Sequence, residues 1–115
     1  MDYKKLYREI ILTAKQENRK KGSGTYYESH HIVPEFMFTN RKRKGPRGHL
    51  DGNPDSPDNL VLLTFKEHLF AHYYLYESLR GTHYEHPAGS ALAFFFTKAT
   101  NNSHIRWQSL SLIHI

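Results

Sequence analysis

Residues 59–72 read NLVLLTFKEHLFAH, and this stretch predicts a strand that leads directly into a helix. The run LVLL at 60–63 is typical of a short buried strand. Thr64 is followed at the third position by Glu67, which is the pattern of a capping box at a helix start. Gly81 is expected to end that helix. The stretch therefore predicts strand, tight junction and helix without an intervening loop.

A second strand is predicted upstream, over residues 25–33, because TYYESHHIV is rich in β-branched and aromatic residues and is closed by Pro34. It carries an adjacent pair of histidines, His30 and His31, near its end. With the strand at 60–63 it is expected to form a hairpin.

The chain on either side adds two flanking helices. Residues 1–21 predict an amphipathic helix with Asp2 as its N-cap, because apolar residues recur at a spacing of three and four. Residues 82–87 form a connector, and residues 87–115 hold a third helix, with GSALAFFFTKATNN as its body, and an apolar tail. The length of 115 residues suits one domain, so we expect a single α+β unit with its motif core at 26–80.

Between the two strands lies a long segment, residues 35–58, that has no helical or strand pattern. It is expected to be a basic loop insertion, because it carries five cations: Arg41, Lys42, Arg43, Lys44 and Arg47. Residues 1–50 hold 12 of the 16 Lys and Arg against 5 acids, whereas residues 51–115 hold 4 against 6. A basic half suits a polyanion such as nucleic acid, although basic runs also keep proteins soluble.

Composition excludes several classes of protein. The chain has no run of 18 apolar residues that could cross a bilayer, no secretory signal pattern at its start and no cysteine. A cytoplasmic protein without disulfides or thiolate metal sites is therefore expected. No pattern indicates a small-molecule cofactor or a particular oligomeric state.

Histidines carry the chemistry that the sequence predicts. His68 and His72 lie four residues apart and share one helix face. If the hairpin packs on the helix, four imidazoles and the Asn59 amide meet in one place. Three imidazoles suffice to hold one metal ion, and the fourth is then free for proton transfer.

The stretches HHIVP at 30–34 and DNLVLLTFKEHLFAH at 58–72 resemble the motif of the HNH endonucleases, which have the ββα-metal (His-Me finger) fold. The family includes colicin DNases, phage homing endonucleases and some restriction enzymes. The resemblance covers residues 26–80, and phage-type members are the most similar in motif. It implies a ββα-metal core, flanked here by the N-terminal and C-terminal helices.

The resemblance also implies roles for individual residues. His30, His68 and His72 would bind one divalent ion, with Mg²⁺, Mn²⁺ and Zn²⁺ all open. His31 would be the general base, turned toward the substrate by local twist or a bulge. Asn59 would hold the hairpin loop by hydrogen bonds. The step from His31 to Asn59 is longer than in compact members of the family.

The function implied is metal-dependent hydrolysis of DNA phosphodiester bonds, by nicking or by double-strand cleavage, in a phage or homing enzyme acting in the cytoplasm of a host cell. The basic loop would contact phosphates beside the cut. The alternative is a catalytically inactive, metal-stabilised DNA-binding module of the same fold. RNA as the substrate also remains open, since the chemistry is shared.

Overall fold

The structure is a computed structural model that describes residues 1–96. It has α+β architecture, as predicted. Its regular elements are, in chain order, α1 (Tyr3–Gln16), β1 (Glu28–His31), β2 (Leu60–Leu63), α2 (Phe65–Leu79) and α3 (Glu85–Ala93). Three short 3-10 helices accompany them at Glu35–Met37, Pro57–Asn59 and Phe94–Phe96. The strand, strand, helix order expected for the motif core is therefore present.

The two strands form an antiparallel pair in which His30 lies opposite Val61 and His31 opposite Leu60. β1 is four residues long, so the predicted strand over 25–33 was too long at both ends. The reason is its partner, because β2 ends where Thr64 leaves the sheet to cap α2. A strand without a partner has no ladder hydrogen bonds to hold it.

The predicted junction between β2 and α2 is confirmed. The Thr64 side chain accepts from the Glu67 backbone N–H at 3.2 Å, and Glu67 Oε1 accepts from the Thr64 N–H at 2.9 Å. Gly81, with φ of 82°, follows the end of α2 in the left-handed conformation that glycine tolerates best. The direction of α2 relative to the hairpin is thus set by local chemistry.

α1 packs against β2 and α2, where Ile11 and Ala14 join Val61, Leu63 and Ala71 in the core. Asp2 caps it as predicted, since its Oδ1 accepts from the Lys5 N–H at 3.0 Å.

The predicted extent of α1, residues 1–21, was too long because the helix ends at Gln16. Beyond that end the Arg19 side chain, 7% exposed, binds both carboxylate oxygens of Glu67 at 2.6 and 3.0 Å. Burial raises the pKa of Glu67, but the hydrogen bonds from Arg19 and Thr64 outweigh it and leave that pKa below its ordinary value. The segment after α1 therefore serves as an anchor for the start of α2.

The basic insertion is a loop with packed residues and two short 3-10 helices, at Glu35–Met37 and Pro57–Asn59. Phe38 and Leu50 form a parallel bridge, and Phe36, Phe38 and Pro54 are buried. Gly48 lies so close to Met37 that a Cβ there would sit 2.1 Å from the Met37 carbonyl oxygen. Two aromatic residues that precede the cations in sequence, Phe36 and Phe38, contribute to this packing.

α3 begins at Glu85, earlier than the predicted boundary after the 82–87 connector. Pro87 lies in its first turn, where backbone N–H groups have no partner within the helix. The later part of the predicted third helix and the apolar tail lie outside the described residues. Within residues 1–96, no helix is long and apolar enough to cross a membrane.

Candidate metal centre

Three of the predicted site residues come together as one group, here called the histidine cluster: His30, His68 and His72. One ring nitrogen from each lies within 4.8 Å of the others, which is close enough to hold a metal ion. His30 projects from β1, and the other two project from successive turns of α2. The ring centroids are 4.9 to 5.1 Å apart. The one-face spacing on α2 and the packing of the hairpin on α2 together produce the cluster.

His30 is 2% exposed, and one of its ring nitrogens is hydrogen-bonded to Tyr7 of α1. Its Nε2 lies 2.8 Å from the Tyr7 hydroxyl, which itself donates to the Ile32 carbonyl oxygen. The single hydroxyl proton is thereby used, so Nε2 must donate and Nδ1 carries no proton. Nδ1 is left to bind a metal.

The charge state of His30 fits the same role. Burial, followed by repulsion from His72 and His68, lowers the pKa of the His30 imidazole well below its ordinary value. The ring is therefore neutral at neutral pH, which is the form that binds a metal ion.

His68 is oriented by a carboxylate from β1. Its Nδ1 lies 2.7 Å from Glu28 Oε1, and both side chains are 13% exposed. The Tyr26 hydroxyl donates to the other Glu28 oxygen at 2.5 Å. An imidazole that donates to a carboxylate through one nitrogen presents the other to a metal, and this arrangement is common around bound metals in proteins. The Phe95 ring covers His68 and His72 at centroid distances of 4.9 and 5.2 Å.

His31 stands apart from the cluster although it follows His30 directly. Its Nε2 lies 2.7 Å from Asp55 Oδ1, and Asp55 Oδ2 accepts from Lys42 Nζ at 3.0 Å. We call these three residues the loop arm. The pairing of β1 with β2 runs through both histidines without a bulge. His30 and His31 nevertheless both line one cleft of about 960 Å³.

Asn59 connects the two sides of the hairpin. Its Oδ1 accepts from the Val33 N–H at 2.8 Å, while its Nδ2 donates to the Val33 carbonyl at 3.1 Å and to the Pro54 carbonyl at 2.8 Å. The Asn59 backbone carbonyl accepts from the Ile32 N–H at 2.8 Å. One amide side chain thus holds the segment after His31 against the segment before β2.

The five cations of the basic loop do not share one environment. Arg41 and Arg43 line the cleft beside the histidines. Arg41 and Arg47 also donate to backbone carbonyls of the loop itself, at Pro46 and Thr39. Lys42 binds Asp55, and Lys44 is exposed away from the cleft lining.

Three residues that contact the histidines were missed by sequence reasoning: Tyr7, Glu28 and Asp55. Glu28 had a usable signal, because residues two apart on a strand share a face and Glu28 precedes His30 by two. Tyr7 reads as one more apolar residue of an amphipathic helix. Asp55 is one of three acids in a loop segment and has no distinguishing pattern.

The chain is similar to four proteins of Enterobacteria phage T4 that carry the name probable mobile endonuclease. It is 31% identical to endonuclease C over 85 residues, which cover 74% of the chain and 34% of that protein. It is 38% identical to endonuclease D over 76 residues, covering 65% of the chain and 24% of the relative. With endonuclease E it shares 29% identity over 118 residues, covering 99% of the chain and 67% of the relative.

The chain therefore spans about a third of endonuclease C and about a quarter of endonuclease D. No family model matches the chain, and no solved structure matches it.

Proposed function

We propose that this protein is a metal-dependent endonuclease of the HNH class, with a ββα-metal core formed by β1, β2 and α2, that hydrolyses DNA phosphodiester bonds. The observation that carries the proposal is a fourth imidazole, His31, lining the same cleft as three imidazoles that can hold a metal ion. A purely structural metal site would need only the ligands. The names of the phage T4 relatives support the same class of activity in a mobile, phage-type enzyme. We further propose that it acts in the cytoplasm of a host cell.

The donor set fits one divalent ion. His30, His68 and His72 supply three imidazole nitrogens, and hydrogen bonds to Tyr7 and Glu28 orient two of the rings. Imidazole donors suit Zn²⁺ and Mn²⁺ better than Mg²⁺, which prefers oxygen, and all three are candidates. These three residues would hold a divalent ion, which would supply Lewis-acid stabilisation of the charge that develops on the phosphate and the leaving oxygen.

His31 takes the proton in this proposal. Asp55 can only accept a hydrogen bond when ionised, so the nitrogen facing it, Nε2, carries the proton and Nδ1 is bare. Nδ1 accepts the proton of the attacking water as its oxygen bonds to phosphorus, and the bond from phosphorus to the 3′ oxygen breaks. The leaving oxygen takes a proton from solvent. The products are 5′-phosphate and 3′-hydroxyl ends.

Arg41 and Arg43 would contact DNA phosphates on either side of the cut, because both line the cleft. Arg47 and Lys44 are weaker candidates, since neither of them lines the cleft. Phosphate contacts of this kind position the substrate without reading its sequence.

The test is plasmid cleavage by the wild-type protein and by His31→Ala, with Mg²⁺, Mn²⁺, Zn²⁺ or EDTA, and with the metal content of both proteins measured in parallel. We expect the wild type to nick or linearise DNA only with metal. His31→Ala should retain metal and lose cleavage by about 10²- to 10⁴-fold, the usual contribution of a general base.

A wild-type protein that binds metal and DNA but cuts under none of these conditions would overturn the catalytic proposal in favour of a metal-stabilised DNA-binding module. The same assay on a structured RNA distinguishes the substrate. Cleavage of RNA with DNA left intact would redirect the proposal to that substrate.

A further inference from the structure

Asp55 is the acidic side chain that contacts His31, and it uses both of its oxygens. Oδ1 lies 2.7 Å from His31 Nε2, and Oδ2 accepts from Lys42 Nζ at 3.0 Å. The hydrogen bond from His31, and then that from Lys42, lower the pKa of the Asp55 carboxyl below its ordinary value. The group is therefore an ionised acceptor at neutral pH, flanked by a cation on one side and the imidazole on the other.

The backbone around Asp55 is fixed on both sides of the residue. Asn53 Oδ1 accepts from the Asp55 N–H at 3.0 Å. Pro54 is fully buried, and its carbonyl accepts from Asn59 Nδ2 at 2.8 Å. The same Asn59 amide binds Val33, two residues after His31. The Asn59 amide thus holds the backbone near His31 and the backbone near Asp55 together, so the two side chains lie at a fixed separation.

We propose that Asp55 is the positioning residue of His31. It holds the imidazole in the tautomer with Nε2 protonated and Nδ1 bare, and Lys42 holds the Asp55 carboxylate in place. This inference rests on the proposed nuclease function for its kinetic consequence, but the arrangement itself can be measured without activity. It also gives Lys42 a role different from the phosphate contact expected from sequence.

The contacts are too exposed to be explained as a contribution to folding. The Asp55 side chain is 40% exposed, and Lys42 is 73% exposed. Ion pairs at such exposure contribute little to stability. A carboxylate that orients an imidazole, in contrast, has a large effect on proton transfer even when the fold is untouched.

The kinetic test compares Asp55→Asn with Asp51→Asn, a matched loss of one carboxylate from an exposed position in the same loop. For Asp55→Asn we expect kcat to fall by about 10- to 1000-fold, within the contribution of a general base. KM for DNA, metal content and the melting temperature should stay near wild type. Asp51→Asn should cleave like the wild type.

An Asp55→Asn protein with wild-type kcat would overturn the proposal. So would a loss of activity fully accounted for by a lower melting temperature or by lost metal. Asp55→Glu adds a further check, since a restored carboxylate should recover part of the lost kcat.

A second measurement distinguishes failure of this proposal from failure of the nuclease assignment. Long-range proton–nitrogen NMR on the full chain at pH 8 reports which nitrogen of His31 carries the proton. We expect Nε2–H in the wild type and a mixture of tautomers in Asp55→Asn. If the wild type cuts nothing but shows this pattern, the nuclease function fails and the positioning role stands. A wild-type His31 protonated on Nδ1 overturns the positioning role whatever the activity.

Lys42→Ala separates the two roles open to that lysine. If Lys42 holds Asp55, kcat should fall while KM and its dependence on salt remain at wild-type values. A higher KM, together with a reduction by about one in the slope of log affinity against log salt concentration, would mean that Lys42 contacts a DNA phosphate instead. That result would overturn the proposal that Lys42 holds Asp55.

Discussion

The histidine cluster lines a cleft that the loop arm reaches through His31, and different kinds of structure hold the two groups. The cluster projects from a strand and a helix, the rings of His68 and His72 are packed against Phe95, and its orienting partners come from α1 and β1. The loop arm takes only His31 from regular structure, while Asp55 and Lys42 come from the basic loop. His30 is 2% exposed, whereas the side chain of His31 is 32% exposed.

This difference follows from what each group is proposed to do. Metal ligands must be neutral and pre-oriented, and burial among apolar residues with hydrogen-bonded outer nitrogens provides both conditions. A group that exchanges a proton with water must remain reachable by water. The two adjacent histidines of one strand can serve both purposes because successive side chains point to opposite faces.

The largest effect should come from breaking the cluster itself. His72→Ala removes one of three nitrogens and should abolish stoichiometric metal binding, with metal-dependent cleavage falling by about 10³-fold or more. Elemental analysis after dialysis and plasmid cleavage measure the two losses. His86→Ala, at an exposed position of α3, is the matched control. A His72→Ala protein that keeps its metal and its activity would remove that residue from the site.

Asn59→Ala should damage both regions at once, because its amide holds the segments that follow His31 and precede Asp55. It leaves the Val33 N–H and two carbonyls without their partner, so we expect about 2–4 kcal/mol of lost unfolding free energy. Urea denaturation of the wild type and Asn59→Ala measures this loss of unfolding free energy.

The matched control for Asn59 is Asn40→Ala, whose exposed amide makes a single 3.3 Å bond to the Gly52 carbonyl. It should stay within about 0.5 kcal/mol of wild type. Equal losses of unfolding free energy in the two variants would contradict the prediction that the Asn59 hydrogen bonds stabilise the hairpin.

Glu28→Gln should separate the two regions. It removes the charge that orients His68 and is expected to weaken metal affinity by about 10- to 100-fold, without altering the His31 contact to Asp55. Calorimetric titration with Zn²⁺ measures the affinity, and kcat at saturating metal should remain within a few-fold of wild type. Glu9→Gln, on the exposed face of α1, controls for the lost charge.

Arg43→Ala should give the smallest effect, confined to the substrate. Because Arg43 lines the cleft, its loss is expected to raise KM for DNA about two- to five-fold and to reduce the salt slope by about one. Lys44→Ala, next to it in sequence but outside the cleft lining, should change KM less. Equal effects of the two would mean that the loop acts through its total charge.

What could be predicted from the sequence is what local chemistry specifies. The capping box at Thr64 and Glu67, the limits of β2 and the shared face of His68 and His72 all follow from spacing within one element, and the structure has them. Asp2 as an N-cap belongs to the same class.

The errors lie where one element is limited by another. β1 is short because its partner β2 is short. α1 ends at Gln16, and Arg19, which follows that end, binds Glu67, 48 residues away in sequence. The basic loop is packed because Phe36 and Phe38 are buried, and no periodic pattern in the sequence predicts their burial. Tyr7 and Asp55 were missed for the same reason, since both reach the histidines across long sequence separations.

The hydrogen bond between Tyr7 and His30 determines how much of the chain must be transferred to build this site on another scaffold. The motif segment 26–80 carries Asn59 and the four histidines of the proposed site, yet the hydroxyl that sets the tautomer of His30 belongs to α1. A chimera that borrows the motif alone would carry the ligands but lose the partner that prepares one of them. The smallest portable unit therefore begins with the first helix, and the hydrogen bond from His30 to Tyr7 marks that boundary.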